Sequence, residues 1–210
     1  MIKIFLADDH ILIREGLKRI INIEPDIRVT GESDDPVEIL RATREKEYDI
    51  LVLDITLPKK SGLEILKEVR AIDPSARVLI LSMHPEDRFA IRSLKAGAYG
   101  YLTKESAGDD IILAIKKIAS GRRYLSESLA ETLAGGLDID KKKLPHEVLS
   151  DREFEILRFI AQGKSLTDIG NELSISVSTV GTYRGRILEK LKLTNNAELI
   201  LYVLENHLID

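Results

Sequence analysis

Three carboxylates, a hydroxyl and a lysine each end or closely follow an apolar run in the first half of the sequence. They are Asp8, Asp9, Asp54, Ser82 and Lys104. Three carboxylates brought within ~4 Å of one another would repel by roughly 4 kcal/mol per pair at an effective dielectric near 20, so they would need a cation to stay ionised together. Oxygen ligands of this kind favour Mg²⁺. A carboxylate beside such an ion can attack a phosphoryl group, while a lysine and a hydroxyl hold the phosphoryl oxygens.

These groups can meet only if the strands that precede them lie side by side in one sheet. The sequence predicts five strands, over Ile2–Ala7, Ile27–Glu32, Asp49–Leu53, Arg77–Ser82 and Tyr99–Leu102. The unbroken apolar runs 50–53 and 78–81 are typical of parallel strands buried on both faces. Helical periods lie between the strands, so we expect a doubly wound, five-stranded parallel α/β sheet whose ligands bind beyond the carboxyl ends of the strands.

Each of these residues also has a simpler interpretation when it is taken alone. Asp8 and Asp9 could cap the first helix, Ser82 could be a hydrogen-bonding residue at a strand end, and Lys104 could be a solvated lysine. Asp54 fits a simple interpretation least well, because it ends a buried apolar strand, where a carboxylate is costly without a partner. The convergence of all five on one sheet edge favours a chemical site.

The remainder of the chain predicts a linker and a helical domain. Residues 126–148 contain two adjacent glycines, a charged run and Pro145, which indicates a linker with a short helix before the glycines. After it, side-chain caps are predicted at Ser150, Ser165, Asn195 and either Ser176 or Ser178. A segment over 165–173, a turn and a helix over about 177–192 have the proportions of a helix-turn-helix. We therefore expect domains at 1–125 and 149–210, joined by the linker, the second being a four-helix domain.

Within the helix-turn-helix, the spacing of apolar residues predicts which side chains face inward. They are Leu166, Ile169, Leu173, Val180, Ile187 and Leu191.

Composition excludes several classes of protein. The chain has 210 residues and no cysteine, which excludes disulfide scaffolds, thiolate metal sites and cysteine nucleophiles. No apolar run approaches 18 residues, so we expect a soluble, cytoplasmic protein without membrane contact. The net charge is −4, and residues 149–210 carry 7 basic and 9 acidic side chains, so charge alone does not demand a nucleic-acid partner.

Two ordered sets of motifs carry a resemblance to a known family. Asp8-Asp9-His10, Asp54-Ile-Thr-Leu-Pro58 with Ser61-Gly62, Leu81-Ser82 and the run from Gly97 to Lys104 resemble the receiver domain of two-component response regulators. Leu149-Ser-Asp-Arg-Glu153, Ala161-Gln-Gly163, Ile175-Ser176, Thr179-Val180 and Glu189-Lys-Leu191 resemble the LuxR-type DNA-binding domain. The combination resembles the NarL/FixJ subfamily, which implies a flavodoxin-like first domain with strand order 2-1-3-4-5.

The resemblance implies a role for each residue of the acidic site. Asp54 would accept a phosphoryl group from a sensor histidine kinase or a small acyl phosphate. Asp9 and Asp54 would bind Mg²⁺ directly, Asp8 through water and Thr56 through its backbone carbonyl. Ser82 and Tyr101 would be the two switch residues, and Thr56 and His84 would tune the lifetime of the phosphoryl group. The protein would then be no enzyme, apart from slow autodephosphorylation.

The resemblance also implies the output of the protein. Phosphorylation would expose a dimerising receiver surface, and the homodimer would bind operator DNA as a transcription regulator, with RNA polymerase as a further candidate partner. Where relatives commonly have lysine, this chain has Gly181. The candidate DNA-binding residues are Ser178, Thr179, Gly181, Thr182, Tyr183, Arg184, Gly185 and Arg186.

Three other functions are compatible with parts of the pattern. A phosphoaspartyl hydrolase of haloacid dehalogenase type uses similar groups, but it needs a carboxylate two residues after the nucleophile, where this chain has Thr56. A flavin or dinucleotide module is disfavoured because no glycine-rich loop follows the first strand. A regulator that binds DNA without phosphorylation is disfavoured by the intact acidic set.

Overall fold

The computed structural model describes residues 1–57, 60–83, 86–135, 145–206 and 208. The chain divides into two compact units, Met1–Asp138 and Ile139–Asp210, and each is described by itself. No helix within these ranges is both long enough and apolar enough to cross a membrane.

The first unit is built on a five-stranded sheet in which every pairing is parallel. The strands are β1 (Ile2–Ala7), β2 (Ile27–Ser33), β3 (Ile50–Asp54), β4 (Arg77–Ser82) and β5 (Gly100–Thr103). Their order is β2-β1-β3-β4-β5. This confirms the doubly wound parallel sheet and its implied order, while three strands begin or end one residue from the predicted bounds.

The described residues of the same unit also form six helices. They are α1 (Ile11–Ile21), α2 (Pro36–Arg44), α3 (Gly62–Ile72), α4 (Glu86–Lys95), α5 (Ala107–Ala119) and α6 (Glu127–Gly135). All of β3 is buried, as its unbroken apolar sequence predicts, because helices cover both faces of a doubly wound sheet. The helix α6 is the short helix expected before the glycines, and residues 136–144 of the predicted linker lie outside the described residues.

The described residues of the second unit, 145–206 and 208, form helices and their connecting turns. A 3₁₀ turn at Pro145–Val148 precedes α7 (Asp151–Ala161), α8 (Leu166–Glu172), α9 (Val177–Leu191) and α10 (Asn196–Glu205). The caps at Ser150, Ser165 and Asn195 form as predicted, and of the two candidates for α9 it is Ser176 whose hydroxyl accepts the hydrogen bond from Thr179 N, at 3.1 Å.

The inward-facing residues of the helix-turn-helix follow the predicted stripe with one exception. Ile169, Leu173, Val180, Ile187 and Leu191 are buried. Leu166 is only half-buried. It is the first residue of α8, directly after the capping residue Ser165.

Candidate functional site

Three strands end next to one small, buried site. Asp54 is the last residue of β3, Asp8 follows β1, and Lys104 follows β5. The Lys104 Nζ lies 2.7 Å from Asp54 Oδ2 and 2.7 Å from Asp8 Oδ2, and each of these three side chains is 3% exposed or less. A single buried ammonium therefore faces two buried carboxylates that are 46 residues apart in the sequence.

The carboxylate of Asp54 is held in one orientation. The backbone N–H of Thr56 donates to Oδ1 at 3.0 Å, while Lys104 donates to Oδ2 at 2.7 Å. Gly62, the first residue of α3, packs directly against the backbone of Asp54. A Cβ on Gly62 would lie 2.0 Å from the carbonyl oxygen of Asp54. Glycine at this position is therefore required for α3 to begin so close to the site.

Four potential metal ligands cluster at this edge of the sheet. One ligand atom from each of Asp8, Asp9, His10 and Asp54 lies within 4.8 Å of the others. Asp8 Oδ2 and Asp9 Oδ1 are buried and accept no hydrogen bond of good geometry from the described residues, although Lys104 Nζ and His10 Nδ1 each stand 2.7 Å away. Carboxylate oxygens with spare lone pairs fit a hard divalent cation.

No role was predicted for His10, although it directly follows Asp8 and Asp9 in the sequence. In the structure its backbone N–H donates to Asp8 Oδ1 at 2.7 Å. Its ring Nδ1 lies 3.2 Å from the same oxygen and 2.7 Å from Asp9 Oδ1. The residue thus fixes the loop after β1, and its half-exposed ring lies at the mouth of the site.

Burial dominates the ionisation of the site. It raises the pKa of Asp54 to about 7; the charge of Lys104 opposes this rise and the charge of Asp8 adds to it. Burial also acts against the charged form of Lys104, but the carboxylates of Asp54 and Asp8 outweigh it, so the pKa of Lys104 lies above its ordinary value. The site therefore holds a lysine that stays charged and a carboxyl that ionises near neutral pH.

The two predicted switch residues flank this site. Ser82 ends β4 and is fully buried, and its carbonyl oxygen accepts a hydrogen bond from Lys104 N at 2.7 Å. Tyr101 lies on β5, in register with Ile80, and its side chain is fully buried. His84, the other residue expected to tune the site, lies outside the described residues.

In the second unit, α9 presents a face of small side chains. Ser178, Thr182 and Gly185 are exposed, and successive members lie three or four residues apart, which places them on one side of the helix. A Cβ on Gly181 or Gly185 would meet nothing within 4 Å, so these glycines are not required by packing. The Thr182 hydroxyl donates to Ser178 O at 3.0 Å.

Arg184 and Lys190 of α9 contact other helices of the unit, while Arg186 contacts Tyr183 within α9 itself. Arg184 Nε donates to Asn196 Oδ1 at 2.6 Å, and the Arg186 guanidinium carbon lies 5.9 Å from the centre of the Tyr183 ring. Lys190 Nζ lies 2.6 Å from the buried carboxylate of Glu153, at the start of α7. These contacts orient α9 but leave its exposed face with little positive charge. Thr179, the remaining candidate, is half-buried, and its hydroxyl lies 2.7 Å from that of Ser176.

Comparison with protein families gives a match for each unit. Residues 4–116 match the family described as response regulator receiver domain. Residues 147–203 match the family described as bacterial regulatory proteins, luxR family.

Relatives match over nearly the whole chain. The response regulator GacA of Pseudomonas aeruginosa is 33% identical over 211 residues, covering 100% of this chain and 99% of that protein. The oxygen regulatory protein NreC of Staphylococcus epidermidis is 33% identical over 216 residues, covering 99% of each.

Solved structures give the same result. A two-component response regulator of the LuxR family from Aurantimonas sp. SI85-9A1 is 40% identical, with a TM-score of 0.60, over 64% of this chain and 96% of that chain. The response regulator ChrA of a heme-sensing two-component system is 31% identical, with a TM-score of 0.53, over 99% of this chain and 98% of that one.

The raised pKa of Asp54 predicts a pH-dependent effect of Asp54→Asn on stability. A carboxyl whose pKa is higher in the folded than in the unfolded state loses stabilising free energy as the pH rises from about 4 through about 7, and an amide does not. In the presence of a chelator, we expect the variant to gain on the parent across this window, by on the order of 4 kcal/mol in total above pH 8, because the shift of about three pKa units corresponds to about 1.4 kcal/mol per unit. Urea unfolding of both proteins at pH 5 and pH 8 measures the difference. An equal difference at both pH values would contradict the assignment.

Proposed function

This chain belongs to the response regulators of the LuxR family, in which a receiver domain precedes a DNA-binding domain, and we propose that Asp54 is the phosphoacceptor that controls its DNA binding. The family consists of transcription regulators. The single observation that carries the proposal is the shared ion pair of Lys104 with Asp54 and Asp8, which puts a buried nucleophile, a fixed cation and a second carboxylate within one site.

The proposed chemistry is a phosphoryl transfer to a carboxylate oxygen. The ionised Asp54 attacks phosphorus, a P–O bond forms, and the bond from phosphorus to the donor atom breaks, with its electron pair leaving on the donor. The donor is the phosphohistidine of a sensor kinase or a small acyl phosphate. Thr56 N and Lys104 keep the carboxylate from rotating before attack. Burial slows hydrolysis of the product, which leaves slow autodephosphorylation as the residual reaction.

Receiver domains bind Mg²⁺ at an acidic pocket, and the donor set of this site fits that ion. We assign Asp9 and Asp54 as direct ligands, Asp8 as a ligand through water, and the backbone carbonyl of Thr56 as a further ligand. The ion would supply the positive charge that lets these carboxylates and the incoming phosphoryl oxygens share one site. The buried oxygens Asp8 Oδ2 and Asp9 Oδ1, which accept no hydrogen bond of good geometry from the part of the chain that the structure describes, support this assignment.

The phosphorylated state would be recognised by Lys104 and Ser82. The ammonium pairs with the phosphoryl oxygens and the hydroxyl donates to one of them, since Ser82 ends β4, the neighbour of β3, and Lys104 follows β5, on the other side of β4. Tyr101 packs inward on β5 behind Ser82, as the second switch residue. This change shifts the receiver towards a state that pairs with a second copy of the chain.

The output of the proposal is operator binding by the homodimer in the cytoplasm. Ser178, Gly181 and Thr182 approach base edges in the major groove, while Tyr183 and Arg186 lie near phosphates. Arg184 donates a hydrogen bond to Asn196, and Thr179 and Gly185 also lie on α9. A sensor histidine kinase is the proposed phosphodonor, and RNA polymerase is a further proposed partner.

The proposed domains remain a receiver domain over 1–125 and a DNA-binding domain over 149–210, joined by 126–148, of which α6 packs as part of the first compact unit. The hydrolase of haloacid dehalogenase type finds no support in the family matches.

Asp54→Asn should abolish phosphate incorporation, because an amide is a poor nucleophile and a poor metal ligand. The measurement is the intact mass of the full chain after incubation with acetyl phosphate and Mg²⁺. The matched control is Asp34→Asn, which changes an exposed aspartate that follows β2 at the same edge of the sheet, and which should be labelled like the parent. Full labelling of Asp54→Asn at the parental rate would overturn the assignment.

DNA binding should respond to substitutions on the small face of α9. Each neutralised phosphate steepens the slope of log affinity against log salt by about 0.9, so Gly181→Lys should add about one unit to the slope and raise affinity for unrelated DNA. Gly181→Leu should obstruct the close approach of the helix to the groove and weaken operator binding. A salt titration of operator binding by the phosphorylated protein measures both effects.

The control for the added charge is Glu205→Gln, which changes the net charge of the same unit by the same amount at the end of α10. It should leave the slope close to that of the parent. If Gly181→Leu binds operator like the parent, this face of α9 does not enter the groove.

A further inference from the structure

His10 places an imidazole beside the carboxylates of the proposed metal site. Its backbone N–H donates to Asp8 Oδ1, so the position of the residue does not depend on its side chain. Within α1, all of whose residues the structure describes, the ring makes no capping bond to the first turn. The His10 side chain is 55% exposed, whereas that of Asp8 is 3% exposed. The imidazole therefore lies where the buried site meets solvent, on the side from which an ion would enter.

The contact between His10 and Asp9 is close, but it is not a hydrogen bond. His10 Nδ1 lies 2.7 Å from Asp9 Oδ1. This oxygen is buried, yet it has no hydrogen-bond partner among the residues that the structure describes. A hydrogen bond requires the donor to be aimed at the acceptor, and these two atoms are near each other without that alignment. They are arranged like neighbouring ligands of one ion.

The distances around His10 match those between ligands of a transition-metal ion. Such an ion stands about 2 Å from an imidazole nitrogen or a carboxylate oxygen, so two neighbouring ligands are about 3 Å apart and two opposite ligands about 4 Å apart. His10 Nδ1 lies 2.7 Å from Asp9 Oδ1 and 3.2 Å from Asp8 Oδ1. The candidate ligand atoms of these residues and of Asp54 all lie within 4.8 Å of one another. Small movements of the side chains therefore allow one ion to reach all of them.

The charge of the site suits a divalent ion, and the imidazole decides which kind of divalent ion it suits. When ionised, the carboxylates of Asp8, Asp9 and Asp54 carry three negative charges, against the one positive charge of Lys104. A divalent ion balances the remainder, and a neutral imidazole adds no charge to it. Mg²⁺ prefers oxygen ligands and keeps several waters, whereas imidazole nitrogen suits first-row transition ions. The nitrogen therefore favours a transition ion over Mg²⁺.

We propose that His10 is a direct metal ligand, so that the site takes a divalent transition ion through Asp9 and His10 as well as Mg²⁺ through oxygen ligands alone. This inference rests on the metal site of the proposed function. The transition ion binds at Nδ1 and replaces the hydrogen bond between this nitrogen and Asp8 Oδ1, at 3.2 Å. Because Mg²⁺ gains little from a nitrogen ligand, His10 sets the selectivity of the site and not its affinity for Mg²⁺.

His10→Gln tests this assignment in the full chain. Glutamine keeps the backbone hydrogen bond to Asp8 and offers an amide oxygen in place of the nitrogen. With Co²⁺ as the probe, isothermal titration should show a loss of roughly tenfold or more in affinity, since even residues that only orient metal ligands are worth about that much. The affinity for Mg²⁺ should stay close to that of the parent. The ¹H NMR spectrum of the parent with Co²⁺ should contain a strongly shifted imidazole N–H signal, and His10→Gln should remove it.

The matched control is Asp34→Asn, which removes an exposed potential ligand at the same edge of the sheet and should bind both ions like the parent. An equal loss of affinity for Co²⁺ and Mg²⁺ in His10→Gln, or an unchanged affinity for Co²⁺, would overturn the role of His10 and leave the proposed function intact. Asp9→Asn should weaken the binding of both ions. If it weakens neither, the metal site of the proposed function is wrong, and this inference with it.

Discussion

The structure depends on one electrostatic constraint, the burial of a single lysine between two carboxylates. Lys104 lies 2.7 Å from both Asp54 and Asp8, and none of the three side chains is more than 3% exposed. Two buried negative charges against one positive charge, with Asp9 beside them, leave the site short of positive charge, and the pKa of Asp54 rises to about 7 as a result of burial. Burial therefore disfavours the ionised form of Asp54, and a proton or a cation at the site offsets this cost, which makes the same residues suited to binding Mg²⁺ and a phosphoryl group.

The fold holds these charged groups close together. Parallel strands bring their carboxyl ends to one edge, and Gly62 lets α3 begin against the carbonyl of Asp54. In the second unit, by contrast, the candidate functional residues lie on an open surface. The helix α9 has open glycines on its exposed face and basic residues that contact Asn196, Tyr183 and Glu153. If this face binds DNA as proposed, its low charge makes the pairing of two copies the larger source of affinity, so control by phosphorylation suits this chain.

Local pattern predicted the strands and most of the buried stripe, because residue periodicity and apolar runs determine those features directly. It could not predict that Lys104 would be shared by Asp8 and Asp54, since a sheet edge brings all five groups together without specifying their partners. The role of His10, the contacts of Arg184 and Lys190 and the half-burial of Leu166 depend on tertiary packing. The attachment of α6 to α4 was missed for the same reason: its sequence is that of a short helix between glycines and polar residues, and only the burial of Leu129 shows where it belongs.

The most direct test of this account is the carboxyl pKa of Asp54 itself, measured by ¹³C NMR on protein labelled at aspartate carboxyl carbons and assigned with Asp54→Asn. The account predicts that this carboxyl titrates near pH 7 when a chelator removes divalent cations, and that adding Mg²⁺ moves its titration to lower pH, because a bound cation favours the ionised form. A titration near pH 4 that is the same with and without Mg²⁺ would contradict it.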